Sequence, residues 1–290
     1  MTDYGQPPRF GFFLEPRADA PLIETAREAE RRGLDLIGIQ DHPYQRRFVD
    51  TFALMGTLLG RTERIGVFPD VANLPLRPPA VLAKTMASLD ILSGGRVDLG
   101  LGAGSFWDAI EAYGGPRRTT GQARAALAEA IHIIRRLWGG ERGIRFDGEH
   151  YRLAGAQSGP LPTRPIGIWL GVYGPKALEL TGRVADGWVP SSPYLPPDVL
   201  LDRHKIIDAA AQAAGREPSA VRRVYNVSGQ IGPSTGFLSG PVDQWVEELT
   251  ELAVGYGMDT FVFAGNVRDL PVYAEEIAPA VREQVTQERS

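Results

Sequence analysis

The chain has 290 residues, of which 43% are hydrophobic and 23% are charged, as is typical of a folded globular protein. Its 31 lysines and arginines against 35 acidic residues give a net charge of -4, so we expect neither nucleic acid nor a membrane surface as a partner. With no cysteine, the chain cannot form disulfides, Cys-ligated zinc sites, iron–sulfur clusters or a cysteine nucleophile.

The chain begins with MTDYGQPPRF, which lacks the apolar core of a signal peptide. No later run approaches the roughly 18 apolar residues of a membrane span. We therefore expect a cytoplasmic protein.

Short apolar runs alternate with segments whose apolar residues recur every three or four positions, the pattern of a parallel α/β fold. The predicted strands are 10–14, 36–40, 65–68, 97–101, 166–170, 188–190, 224–230 and 260–263. The predicted helices are 22–32, 51–59, 80–92, 123–138, 175–184, 199–214, 242–254 and 272–285. Eight such units, with no GxGxxG motif after the first strand, favour a (β/α)8 TIM barrel over a doubly wound sheet.

The regular alternation is interrupted at residues 139–165, which are rich in glycine, proline and arginine. Within this stretch, Asp147-Gly148 lies between alternating residues and predicts a hairpin. Because a barrel of this size normally forms one unit, we expect a single domain over residues 1–290 with an insertion at about 139–165.

Asp41-His42 follows the second predicted strand, where a barrel places its active-site residues. A histidine can transfer a proton near neutral pH, and an adjacent carboxylate can orient it or raise its pKa. The alternative is a loop aspartate that caps the next helix beside a bystander histidine. A metal-dependent hydrolase would need several ligands at the strand ends, and His42 is the only one of four histidines predicted there, so we predict no metal site.

Two glycine-rich segments are candidate binding elements. In the strand that begins near Val97, Gly100, Gly102 and Gly104 share one face, which either admits a flat group or packs beside bulky neighbours. Residues 171–176 (GVYGPK) follow the fifth strand and open a helix, so their amides and Lys176 suit a phosphate, although an ordinary turn would look the same.

Together these motifs resemble the bacterial luciferase-like monooxygenase superfamily. The resemblance is carried by residues 39–42, 92–104, 146–153, 169–178 and 185–188. It implies a (β/α)8 barrel that binds FMN or the deazaflavin coenzyme F420. Members that use the deazaflavin often have Asp-His after the second strand, whereas many FMN-dependent members have Glu-His-His, so Asp41-His42 favours F420.

The resemblance also implies the residues that bind the coenzyme. They are Asp41, His42, Asp70, Val71, Gly102, Gly104, Ser105, Tyr173, Gly174, Pro175 and Lys176. The family has a non-prolyl cis peptide in a bulge that supports the ring, and its counterpart here is Asp70-Val71. The phosphate is expected at Gly174, a permissive glycine that could also adopt a positive φ.

One position departs from the deazaflavin dehydrogenases. Some of them have a glutamate proton donor just after the glycine strand, whereas this chain has Ser105. The same mechanism on a sugar phosphate is therefore in doubt. Four nearby aromatic residues predict an apolar substrate pocket instead: Tyr44, Phe106, Trp107 and Trp188.

These features predict an F420-dependent oxidoreductase that transfers a hydride between the coenzyme and a small organic substrate. His42 would donate or accept the proton, with Asp41 as its partner or as a coenzyme ligand. The first alternative is an FMN-dependent two-component monooxygenase of the same superfamily. The further alternatives are a flavin-binding barrel without turnover and a metal-dependent hydrolase. Because dimers are common in this family, the resemblance also implies a homodimer.

Overall fold

The computed structural model describes residues 3–290. Its strands are β1 (Arg9–Leu14), β2 (Leu36–Ile39), β3 (Gly66–Pro69), β4 (Ala72–Asn73), β5 (Leu99–Gly102), β6 (Ile144–Asp147), β7 (Arg152–Ala156), β8 (Ile168–Leu170), β9 (Gly187–Trp188), β10 (Arg222–Val227), β11 (Gln230–Ile231), β12 (Ser239–Gly240) and β13 (Thr260–Phe263). Its helices are α1 (Leu22–Arg31), α2 (Thr51–Leu59), α3 (Pro79–Ser93), α4 (Trp107–Ala112), α5 (Thr120–Trp138), α6 (Pro175–Val184), α7 (Leu200–Ala213), α8 (Val242–Val254), α9 (Leu270–Val272) and α10 (Ala278–Glu288).

Nine parallel strands form one sheet in the order β3-β2-β1-β13-β10-β9-β8-β5-β4. A parallel bridge between Val67 of β3 and Val97, just before β5, brings the two sides of this sheet together. Because β3 and β4 are two halves of one strand interrupted at Asp70-Val71, the nine strand segments form the eight strands of a barrel. The predicted (β/α)8 barrel is confirmed.

Most predicted elements lie within a few residues of their predicted positions, and the differences have local causes. The glycine strand starts at Leu99 rather than at residue 97, and the sixth strand is only Gly187–Trp188. The short helix α4 was not predicted, because six residues carry too little periodicity. The last predicted helix is interrupted by a π-helical stretch at Tyr273–Ile277.

The insertion contains the predicted hairpin, with β6 and β7 antiparallel and Asp147 opposite Arg152. The carboxylate of Glu129 on α5 accepts hydrogen bonds from the backbone N–H groups of residues 149–151, which fixes the hairpin tip to that helix. No helix within residues 3–290 is long and apolar enough to cross a bilayer.

Apolar side chains pack in two layers. The larger layer lies between the strands and the surrounding helices. The smaller layer takes its residues from the strands and their ends and none from a helix, so it fills the barrel interior. Its buried members are Leu36, Phe68, Trp169, Val189, Val224 and Val262.

Glycines on three strands leave space for the bulge between β3 and β4. A Cβ atom on Gly102 or Gly171 would lie 2.8 Å from a methyl group of Val71, and one on Gly38 would lie 2.8 Å from the Asp70 carboxylate. The peptide bond between Asp70 and Val71 is cis, as the family resemblance implied. The bare face of the glycine strand is therefore filled by Val71, which supports the packing interpretation rather than a flat ligand on the backbone.

Candidate functional site

The carboxyl ends of the parallel strands meet at one mouth of the barrel, so residues from distant parts of the sequence lie together there. His42 follows β2, Asp70 follows β3, Tyr173 follows β8, and Ser191 follows β9. Asn226 lies near the end of β10.

Asp41 is buried and held by Arg77. Its carboxylate accepts hydrogen bonds from Arg77 Nη2 at 2.8 Å, from Arg77 Nε at 3.2 Å and from the backbone N–H of Asn73 at 2.9 Å. Arg77 also pairs with Asp50 at 2.6 Å and lies 4.7 Å from the centre of the Phe52 ring. The hydrogen bond from Asn73 connects the loop after β2 to β4, and the two ion pairs of Arg77 connect that loop to the start of α2. Arg77 and Asn73 were not found from the sequence, because nothing local relates them to Asp41.

His42 is half-buried among aromatic rings. It stacks on Tyr44 with centroids 5.4 Å apart and meets the edge of Phe106 at 5.2 Å. Within residues 3–290 no hydrogen bond reaches its ring nitrogens, and both oxygens of the Asp41 carboxylate accept hydrogen bonds from other groups. Burial lowers the pKa of His42, and the nearby Asp41 charge raises it without offsetting the effect of burial.

Asp70 is buried at the top of the barrel interior. Its Oδ1 atom accepts a hydrogen bond from Asn226 Nδ2 at 3.1 Å, and the same amide donates to Ser191 Oγ at 3.2 Å. Three strands separate β3 from β10 in the sheet, so the Asp70–Asn226 hydrogen bond crosses the interior. Burial raises the pKa of Asp70 to about 7, with the hydrogen bond from Asn226 as the opposing influence.

Four buried polar atoms at this mouth have no hydrogen-bond partner among the described residues. They are Tyr44 Oη, Asp70 Oδ2, Asn73 Oδ1 and Asn226 Oδ1. A buried polar group without a partner costs about 1–3 kcal/mol. Such a concentration at a barrel mouth indicates a place where a polar ligand supplies the missing partners.

The segment predicted to bind phosphate opens α6. Gly174 is the N-cap, Pro175 occupies the first turn, and no side chain caps this end of the helix. A Cβ atom on Gly174 would have no neighbour within 4 Å, and its φ of -74° is one that any residue adopts, so the positive φ that we allowed for does not occur. Lys176 is exposed, and the Tyr173 hydroxyl accepts a hydrogen bond from the Ser191 N–H at 3.3 Å.

The aromatic pocket is only partly as expected. Tyr44 and Phe106 contact His42 at the mouth, and Trp107 is half-buried beside Gly104. Trp188 is fully buried in the core instead, where its indole N–H donates to the Val172 carbonyl at 2.8 Å. The Trp188 side chain points from β9 toward the surrounding helices. The sequence did not show this, because a strand of two residues has no alternation to read.

The other predicted residues near the glycine strand differ in exposure. Gly102 is buried against Val71, Gly104 has a φ of 95°, and Ser105 is exposed. Among residues 3–290, no three histidine, aspartate or glutamate side chains lie close enough together to hold a metal ion.

Comparison with known proteins places this arrangement in context. The sequence model for the luciferase-like monooxygenase family matches residues 9–235. The F420-dependent glucose-6-phosphate dehydrogenase of Kineococcus radiotolerans is 34% identical over 66% of this chain, but the match spans only 59% of that relative's length. An F420-dependent secondary alcohol dehydrogenase in complex with an F420-acetone adduct superposes with a TM-score of 0.85 and 20% identity, over 95% of this chain and 99% of the other. A riboflavin lyase with modified FMN and riboflavin gives 0.84 and 15%, over 96% and 92%.

The Arg77–Asp41 pair predicts a large effect on stability. Arg77→Met should lower the free energy of unfolding by about 3–5 kcal/mol at pH 7, because it leaves the buried Asp41 carboxylate without its cation. Urea denaturation measures the loss. The control Arg17→Met breaks the exposed pair with Asp19 and should cost far less, because solvent screens that pair. Equal losses in the two variants would contradict this prediction.

Proposed function

The chain belongs to the luciferase-like monooxygenase family, and from that premise we propose that it is an oxidoreductase that uses coenzyme F420. The reaction is a hydride transfer to or from a small organic substrate. The observation that carries this proposal is the Asp41-His42 pair at the end of β2, the pattern of the deazaflavin-dependent members. The F420-dependent relative from Kineococcus radiotolerans supports the same coenzyme, although this chain covers less than two thirds of its length.

The residues present fit such a coenzyme. The unpartnered polar atoms at the mouth can pair with the polar edge of a ring system. We propose that Val71, Gly104 and Ser105 contact the ring, while Gly102 acts by leaving space for Val71. The uncapped start of α6, formed by Tyr173, Gly174, Pro175 and Lys176, can hold the phosphate. When bound, the coenzyme supplies a ring that accepts or releases a hydride.

His42 is our candidate for moving the substrate proton. As a neutral imidazole, it can accept the proton of a substrate hydroxyl while the adjacent carbon loses its hydride. Tyr44 and Phe106 shield it from water on two sides. We propose that Asp41 acts through the backbone, because its ion pair with Arg77 fixes the loop that carries His42.

The FMN-dependent monooxygenase is the second candidate. Its support is the fold that this chain shares with the riboflavin lyase, whose structure contains modified FMN. It would require a separate reductase and would activate oxygen. Bound coenzyme without turnover would favour a binding barrel, and activity lost on chelation would favour a hydrolase. The single domain, the homodimer and the cytoplasmic location stay predictions from the sequence.

Parallel titration of the purified chain tests the choice of coenzyme. We expect F420 to bind at least tenfold more tightly than FMN, a difference of about 1.4 kcal/mol, because the site has Asp-His rather than Glu-His-His. Quenching of the coenzyme fluorescence gives both dissociation constants. Equal affinities, or tighter binding of FMN, would overturn the proposal of F420.

His42→Ala should lower kcat roughly 10²–10⁴-fold and leave the coenzyme dissociation constant nearly unchanged, as for a positioned acid or base. If His42 accepts the proton, the wild-type rate falls as the pH drops through its lowered pKa, below the ordinary value of 6.5, and this limb disappears in the variant. The exposed His132 provides the control His132→Ala, which should keep the wild-type profile. Turnover by the His42 variant at the wild-type rate would make His42 structural.

The start of α6 predicts how the phosphate is held. Lys176→Ala should weaken coenzyme binding by about 1–2 kcal/mol, the range for a charge-assisted hydrogen bond in a partly exposed site. Gly174→Val should weaken it more by obstructing the approach to the helix amides. This substitution should lower stability only slightly, because valine is a poorer N-cap than glycine but the added side chain meets no protein atom within 4 Å at its Cβ.

The matched control is Lys205→Ala, which removes one exposed charge from α7. Each variant is titrated with the full coenzyme and with a riboflavin-type fragment that lacks the phosphate. The Lys176 and Gly174 variants should weaken only the full coenzyme. Equal losses with both ligands would show that the phosphate binds elsewhere.

A further inference from the structure

Two of the four buried aspartates among residues 3–290 have no ion pair, and Asp70 is the one at the barrel mouth. Asp41 pairs with Arg77, and Asp259 lies 3.4 Å from Arg222. Asp90, on α3, also has an unpartnered Oδ1, but its Oδ2 accepts two hydrogen bonds, from the Thr163 hydroxyl and N–H. Asp70 has no ion pair, and only Oδ1 accepts a hydrogen bond. A buried carboxylate without a cation is costly, so the fold alone gives no reason for an acid at this position.

The surroundings of Asp70 are neutral on every side. Gly38 of β2 faces Oδ2, and Asn226 of β10 donates to Oδ1. Ser191, after β9, shares the Asn226 amide, and Tyr173, after β8, is the titratable group that faces the carboxyl. Burial raises the pKa of Tyr173, so its hydroxyl remains neutral as well and supplies no compensating charge.

The oxygens left without partners belong to residues at or bonded to the bulge. Asp70 is part of the bulge, Asn73 follows it by three positions, and Asn226 Oδ1 belongs to the amide that donates to Asp70. A protonated carboxyl is both a donor and an acceptor, and its O–H group needs an acceptor partner. None of the described residues supplies this partner for Oδ2, which leaves the role to a bound molecule.

We propose that Asp70, aimed across the barrel mouth at Asn226 with its second oxygen unpartnered, keeps its proton and donates it in a hydrogen bond to the bound coenzyme. This inference rests on the proposed function, and it gives the acid a task beyond its place in the bulge. The acceptor is a carbonyl oxygen or a ring nitrogen of the coenzyme. Ionisation of Asp70 would remove the donor and add an uncompensated charge beside the ligand, so binding should weaken at high pH.

The raised pKa, about 7, is consistent with a neutral acid below that pH. Because the folded pKa lies above the ordinary value of 3.8, Asp70 destabilises the apoprotein increasingly as the pH rises from about 4 through 7. A residue that costs stability at a barrel mouth is the expected signature of a functional group.

Asp70→Asn tests the inference, because the amide is nearly isosteric and donates a hydrogen bond at every pH. Dissociation constants for F420 and for FMN are measured by fluorescence from pH 5.5 to 8.5, with the exposed Asp202→Asn as the control. The ionisations of the ligand itself cancel when the dissociation constant of the wild type is divided by that of the variant. This ratio of dissociation constants should be constant below about pH 6 and should rise up to tenfold per pH unit above about pH 7. The Asp202 variant should give a flat ratio.

Thermal unfolding of the apoproteins provides a readout that does not depend on the ligand. Asp70→Asn should raise Tm relative to wild type by more at pH 8.5 than at pH 5.5, and Asp202→Asn should show no such trend. F420 binding with a flat ratio would overturn the role of Asp70 alone. Tighter binding of FMN would contradict the coenzyme choice, and the FMN ratio would then decide the role of Asp70. Binding of neither ligand would overturn both proposals.

Discussion

A carboxyl group buried in a barrel must either pair with a cation or keep its proton, and this site contains one of each kind. Asp41 has Arg77, which also reaches Asp50 and thereby fixes the loop that carries His42. Asp70 accepts a hydrogen bond from the Asn226 amide alone, and burial raises its pKa to about 7. Asp41 therefore fixes the loop through charge, and in our proposal Asp70 supplies a hydrogen-bond donor at the floor of the mouth.

The barrel interior determines where this floor lies. Apolar side chains from the strands fill the lower interior, and the polar pair Asp70–Asn226 crosses above them. The bulge that carries Asp70 can enter the interior because Gly38, Gly102 and Gly171 present no side chains to it. The glycines thus act on the site indirectly, by admitting Val71 and Asp70 rather than by touching a ligand themselves.

The chemistry that we propose follows from how these parts are divided around the mouth. The aromatic side, with His42 between Tyr44 and Phe106, offers a neutral imidazole in a partly dry setting for the substrate proton. The start of α6, which follows β8 beside β5 in the sheet, offers backbone amides for an anion. With Ser105 in place of an acid, His42 is the side chain on the aromatic side that can accept a proton near neutral pH.

The sequence by itself determined the repeating pattern, the positions at strand ends and the family. Apolar periodicity and the glycine and proline stops are local, so β13, α2, α6 and α8 lie at their predicted residues. Tertiary structure decided the partners. Arg77 lies 36 positions from Asp41 and Asn226 lies 156 from Asp70, so only closure of the barrel brings them together. It also decided the burial of Trp188 and the pKa shifts of His42 and Asp70, because a pKa depends on the solvent and charges that the whole fold leaves around a group.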